Sequence, residues 1–152
     1  MSSKFKPSVC SCESCKQACR KRPCWPTPKD ATALIDAGYG ARLMNDWWNG
    51  DGVDGNDIQI ISPAIVGYEG KYAPFFPNGR CTFLTSDDLC ELHDLRLKPF
   101  EGRVATCKRK QDTLHWNVAK SWNTEMGRSV VKRWKSTTQM HRLVNCIKKS
   151  LI

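Results

Sequence analysis

Cysteine clustering near the start of the chain constrains the fold more than any other feature of the sequence. Five of the nine cysteines fall within residues 10–24, namely Cys10, Cys12, Cys15, Cys19 and Cys24. The others follow singly at Cys81, Cys90, Cys107 and Cys146. Thiolates this close together repel one another unless a cation lies among them, and sulfur ligands favour zinc or iron. The sequence therefore predicts a metal–thiolate protein.

A disulfide framework is the main alternative to a metal site, and scattered thiols with no common ligand are the other. The odd number of cysteines leaves at least one thiol over, and Cys10 and Cys12 are too close to close a long loop. The chain begins Met-Ser-Ser-Lys-Phe-Lys, without an apolar run of signal-peptide length. We therefore expect a reducing, cytoplasmic location, where cysteine clusters usually bind metal or act in catalysis.

Length and charge limit the classes of partner. The 152 residues suffice for one domain with a hydrophobic core. No stretch approaches the roughly 18 apolar residues that cross a bilayer, so we expect no membrane partner. The net charge of +9 favours polyanions such as nucleic acid, although a solvated cationic surface has the same composition. The basic residues concentrate in the last third of the chain, which makes nucleic acid a candidate partner there.

The residue pattern divides the chain into three parts that together form one domain. Residues 1–9 are predicted to be a disordered lead-in, 10–110 a cysteine-rich metal-binding region, and 111–152 a basic helical region packed on it. We expect an α+β fold that is mostly helical, a small metal-organised domain with a minor β-hairpin and C-terminal helices.

Local signals predict the elements of the first half. Thr27 and Pro28 are typical of a helix start, and Gly38 and Gly40 would end that helix. A second short helix is predicted over 41–48, followed by a turn-rich loop, a strand over 58–61 and irregular chain over 63–77.

The second half combines a predicted hairpin with helices. Short extended runs at 81–84 and 89–92 flank a polar turn, and this hairpin would hold Cys81 and Cys90 close together. Helices are predicted over 112–125 and 127–150, the latter with an apolar face that includes Val130, Val131 and Trp134. Cys146 falls in this apolar pattern and is predicted to be a small core residue rather than a ligand.

Residues 10–110 resemble a known family of cysteine-rich proteins. One half of the pattern is the N-terminal cysteine cluster followed by Trp25-Pro26-Thr27-Pro28; the other half is Cys81-Thr-Phe-Leu84, Cys90-Glu-Leu-His93, Lys98-Pro99 and Cys107. Together they are similar to the YkgJ-like proteins, the CxxCxxCC group described as a zinc- or iron-chelating domain. The first half departs from that pattern, since it has no adjacent Cys-Cys pair and its spacing is C-x-C-x2-C-x3-C.

The resemblance implies a set of metal ligands. They are Cys10, Cys12, Cys15, Cys19, Cys81, Cys90 and Cys107. Seven thiolates exceed one tetrahedral site, so two zinc sites with a histidine, a zinc pair with bridging sulfur, and one [4Fe–4S] cluster with spare thiols all remain open. Cys24 is a spare candidate, and His93 is either a ligand, a residue that orients a ligand, or an ordinary histidine. We interpret His115 and His141 as ordinary core or surface residues.

Three functions fit this pattern. The first is a metal-binding protein whose cluster organises the fold and whose surface binds a macromolecular partner. The second is a zinc or iron–sulfur enzyme, for which Glu91, His93 and Glu101 are the nearby candidate general bases. The third is a nucleic-acid-binding zinc protein, although its cysteine spacings match no common zinc-finger module.

Overall fold

The computed structural model describes residues 20–150 except 77, 88, 94 and 102–110, and for 111–113 and 140–145 it describes the backbone only. The predicted lead-in at residues 1–9 lies outside the described residues. Within them the fold is α+β and mostly helical, as predicted, with a two-stranded antiparallel hairpin. None of the helices in the described part of the chain is both long and apolar enough to cross a membrane.

The first helix, α1, spans Pro28–Asp36 and begins as its sequence predicts. The Asp30 N–H donates to the Thr27 hydroxyl at 3.2 Å, and the Thr27 N–H donates to the Asp30 carboxylate at 3.3 Å, which forms a capping box. Gly38 has a φ of +93° that suits glycine, and the next N–H, of Tyr39, donates to the Leu34 carbonyl at 2.9 Å. Both predicted ends of α1 are therefore confirmed.

The hairpin of the fold lies in the first half of the chain. Strand β1 spans Leu43–Trp48 and strand β2 spans Ile58–Pro63, paired in a register that sets Leu43 opposite Pro63 and Trp48 opposite Ile58. The strand predicted over 58–61 is confirmed. The helix predicted over 41–48 is wrong, because only Gly40–Arg42 form a short 3-10 turn before the chain extends into β1.

The segment after β2 is irregular, as predicted, but the hairpin expected over 81–92 is reduced to one antiparallel bridge between Leu84 and Cys90. Cys81 instead forms a bridge with Ile65. The reason is that the backbone of this segment hydrogen bonds to the chain after β2, where the Thr82 N–H donates to the Ala64 carbonyl at 2.8 Å. The turn still brings the backbones at 81–84 and 89–92 together.

The last two helices follow each other closely in the sequence: α2 spans Gln111–Trp122 and α3 spans Glu125–Ser150. Thr124 caps α3 by accepting the Gly127 N–H at 3.0 Å. Any side chain at Gly127 would place a Cβ 2.4 Å from the Trp122 carbonyl oxygen, so this glycine allows the tight connection. The predicted helices over 112–125 and 127–150 are confirmed with these slightly different ends.

The main core joins α1, both strands and the two last helices. Its largest fully buried side chains include Trp25, Trp122, Phe83, Leu34 and Ile60. Val130, Val131 and Trp134 of α3 are buried, which confirms the predicted apolar face of that helix. Cys146, by contrast, is exposed, and its predicted core position is wrong because the buried residues described on α3 lie between Gly127 and Trp134, about three turns before it.

Candidate functional site

The structure describes two of the seven predicted ligands, Cys81 and Cys90. The others, Cys10, Cys12, Cys15, Cys19 and Cys107, lie outside the described residues. Cys81 is 6% exposed and belongs to the main core, whereas Cys90 is half-buried. Among the described residues, no group of three or more His, Cys, Asp or Glu side chains could hold a metal ion. The described chain therefore supplies part of the predicted ligand set and no complete site.

The spare ligand candidates, Cys24 and His93, lie on different segments. Cys24 is half-buried and precedes Trp25 in the sequence. His93 is exposed at the end of the turn that begins at Cys90, and its N–H donates to the Cys90 carbonyl at 3.1 Å.

Arg42, the last residue of the 3-10 turn, hydrogen bonds to the segment that carries Cys81 and Cys90. Its Nη1 and Nη2 donate to the two Glu91 carboxylate oxygens at 3.0 and 2.9 Å, and Nη2 also donates to the Thr82 carbonyl at 2.9 Å. The guanidinium carbon lies 4.2 Å from the centroid of the Phe83 ring. The hydrogen bonds to Glu91 raise the pKa of Arg42 against the opposing effect of burial, and they lower the pKa of Glu91. Glu91 is thus an ion-pair partner rather than a general base ready to act.

Replacing Glu91→Gln should lower the free energy of unfolding by about 0.5–1 kcal/mol at pH 7, the range of a well-formed exposed ion pair. Because the folded-state pKa of Glu91 is lowered, the pair contributes fully above the unfolded-state pKa, and its contribution is lost as the pH falls through the folded-state pKa. Urea unfolding should therefore separate the two proteins at pH 7 and bring them together in acid. Asp87→Asn, whose side chain is exposed in the turn before Cys90, is the control. An equal separation at both pH values would contradict the assignment.

Glu101 is buried and joins two segments that are distant in the sequence, those that contain Trp25 and His115. It is 3% exposed; one carboxylate oxygen accepts the Trp25 N–H at 2.5 Å, and the other contacts Nδ1 of His115. An ionised carboxylate only accepts hydrogen bonds, so Nδ1 of His115 is the donor to ionised Glu101. The Glu101 N–H also donates to the Trp25 carbonyl at 3.4 Å.

The indole of Trp25 is at the centre of this polar network. It is 1% exposed and lies parallel to the His115 ring, with the centroids 3.9 Å apart. Its Nε1 donates to Asp46 of β1 at 2.9 Å, and Asp46 also accepts the Trp47 N–H at 2.8 Å. The guanidinium of Arg22 lies 5.0 Å from the Trp25 centroid and 3.5 Å from the Asp46 carboxylate.

A cavity of about 380 Å³ opens beside this network. Its lining residues are Arg22, Trp25, Asp46, Trp47, Trp48, Asn49, Phe75 and His115. The sequence pattern marks His115 as ordinary and Glu101 only as a candidate base near cysteines, so it does not reveal this site. The one available signal was the number of tryptophans, six in 152 residues, of which three line the cavity.

The basic side chains of α3 fall into two groups, those that line a groove and those that do not. Arg128, Lys132 and Lys135 of α3 line a groove of about 550 Å³ that the loop before β2 completes. Lys135 donates to Gln59 at 2.8 Å, whereas Arg133 points away from the groove and pairs with Asp36 of α1 at 2.5 Å. Only part of the charge therefore faces a common concave surface.

The chain matches no protein-family model, no curated protein and no solved structure.

Proposed function

We propose that this chain is a metal–thiolate protein, in which zinc or an iron–sulfur cluster joins the N-terminal cysteine loop to the segments that carry Cys81, Cys90 and Cys107. The metal is chiefly structural, and the working role is binding of a macromolecular partner. A cytoplasmic location belongs to this proposal, because a reducing compartment keeps the thiols available as ligands.

The observation that carries the proposal is that the described residues next to three cysteine-containing segments are hydrogen bonded to one another. These segments are the N-terminal cysteine loop and the two that carry Cys81 and Cys107. The Gly79 N–H donates to the Lys21 carbonyl at 2.6 Å, and Glu101 is hydrogen bonded twice to Trp25. In the sequence, Lys21 follows Cys19 by two positions, Gly79 precedes Cys81 by two, and Glu101 precedes Cys107 by six. Segments that are far apart in sequence but bonded at their flanks are suited to contribute ligands to one site.

The contacts of the candidate bases favour a structural over a catalytic metal. A catalytic zinc needs a general base close to its open position. Glu91 is held by Arg42, Glu101 is held by Trp25 and His115, and His93 is exposed. Two of the three candidates thus already serve to join segments of the fold.

Metal analysis with an absorption spectrum, on protein purified without oxygen, tests the proposal directly. Colourless protein with stoichiometric zinc would support a structural zinc site, and brown protein with iron and acid-labile sulfide would support a cluster. Protein without zinc or iron, or cysteines recovered as disulfides after anaerobic lysis, would contradict it.

Nucleic acid is a second candidate partner, favoured by the groove that contains Arg128, Lys132 and Lys135. These residues recur at helical spacing, so α3 presents all three to the same concave surface. Cations in this arrangement would neutralise neighbouring phosphates and release counterions.

The double substitution Lys132→Gln and Lys135→Gln should weaken binding to mixed-sequence RNA and DNA about equally on every sequence. It should also reduce the slope of log affinity against log salt by about one per lysine. Fluorescence anisotropy over a range of salt concentrations measures both quantities. Arg133→Gln is the matched control, because Arg133 is on the same helix but pairs with Asp36 outside the groove. A wild-type protein without affinity, or an equal effect of the control, would exclude this groove.

A further inference from the structure

The cavity beside Trp25 has an aromatic wall. Trp47, Trp48 and Phe75 contribute rings to it, and Phe75 is 81% exposed. The His115 ring and the Arg22 guanidinium both lie against the Trp25 indole. Because this indole is also 1% exposed, it offers a ligand little surface for stacking. Small-molecule sites combine mostly apolar walls with a few placed polar groups, and aromatic walls suit a flat ring.

Arg22 provides the unsatisfied polar group of the cavity. Its Nε–H is buried and has no hydrogen-bond partner among the described residues. Among the described residues, the acid that pairs with its guanidinium is Asp46, which lies 3.5 Å away and already accepts from Trp25 and Trp47. A guanidinium carries five N–H donors in a planar fork that matches an oxyanion, so Arg22 has donors left for a ligand.

His115 adds a second polar group. Since Glu101 contacts its Nδ1, Nε2 is the ring nitrogen that is left to hydrogen bond to a ligand. His115 lines the same cavity as Arg22, so one ligand can meet both.

We propose that this cavity binds a flat aromatic molecule bearing an oxyanion group, with the ring against Phe75 and Trp47 and the oxyanion on Arg22. A carboxylate and a phosphate share this chemistry. None of the lining residues is a predicted metal ligand, so the inference does not rest on the metal function proposed above.

Titration calorimetry on the full chain with four probes tests the ligand class. The anionic probes are indole-3-carboxylate and adenosine 5′-monophosphate; indole and adenosine are their neutral counterparts. We expect at least one anionic probe to bind at one site per chain, about tenfold or more tighter than its neutral counterpart, because charge-assisted bonds to Arg22 are lost with the oxyanion. Binding of only one anionic probe would support the proposal and identify which pairing of ring and oxyanion the cavity accepts. Failure of both, or equal binding of the neutral probes, would overturn the proposal.

Two variants, each with a control substitution, test where the probe binds. Arg22→Gln should lower affinity about tenfold, and Phe75→Ala should lower it about three- to tenfold through lost stacking. Lys21→Gln and Tyr72→Ala are the controls, since both residues are exposed and neither lines the cavity. Phe75 is so exposed that its variant keeps the fold, which leaves the test decisive even where Arg22→Gln is unstable. Unchanged affinity in Phe75→Ala and Arg22→Gln, or equal losses in the controls, would place the binding elsewhere.

Discussion

Replacing Cys90→Ser should remove bound metal and lower the free energy of unfolding by about 5 kcal/mol or more, since a structural zinc site contributes on the order of 10 kcal/mol in small domains. A loss of this size is comparable to the whole stability of an ordinary domain, which is about 5–15 kcal/mol. The proposed ligands come from segments that meet only in the folded chain, so metal and fold should be lost together.

Cys90 is a better test position than Cys81 for a physical reason. Cys81 is buried in the main core, where a serine hydroxyl would cost stability without any metal. Cys90 is half-buried, and its bridge to Leu84 uses the backbone, so without a metal the substitution should cost about 1 kcal/mol or less.

Cys146→Ser is the matched control for the same experiment. Its thiol is exposed on α3, and the proposal does not include it as a ligand. Both variants are measured by metal content after gel filtration and by urea unfolding. A Cys90→Ser protein that keeps its metal and its unfolding free energy, as Cys146→Ser should, would contradict the assignment of Cys90.

The parts of the fold that the sequence predicts correctly are those that depend on neighbours in the chain. The start of α1 is encoded by Thr27, Pro28 and Asp30, which interact within one turn. The apolar face of α3 is likewise visible as three-to-four spacing in one segment.

Strand β1 shows where such local signals fail. Leu43, Met44, Asn45 and Asp46 are all buried, so neither the alternation of a half-buried strand nor a clear helical stripe is present. Pairing with β2 decides the conformation, and this pairing includes polar residues whose burial depends on distant partners such as the Trp25 indole.

The candidate sites divide in the same way. The clustering of cysteines is a local pattern and predicts metal chemistry directly, whereas the Trp25 network has no spacing rule. Glu101 lies 76 positions from Trp25 and Asp46 lies 21 from it, and only the fold brings them into contact. A sequence pattern of any period cannot contain this information.

Replacing Glu101→Ala should lower the free energy of unfolding by about 3–5 kcal/mol, because it leaves two buried donors without their acceptor. These donors are the Trp25 N–H and Nδ1–H of His115. Glu101→Gln retains an amide oxygen for one of them but directs an NH₂ group at the other, so its loss should be intermediate.

Urea unfolding of the single variants and of Glu101→Ala with His115→Ala separates the network from the simple loss of a side chain. Since removal of His115 also removes one of the orphaned donors, the double variant should be more stable than the sum of the single losses predicts, by about 1–2 kcal/mol. Glu125→Ala, exposed on α3, should change stability by no more than about 0.5 kcal/mol. If Glu101→Ala were as mild as this control, Glu101 would not join the segment before Cys107 to Trp25. The convergence on which the proposed metal site rests would then lose one of its two links.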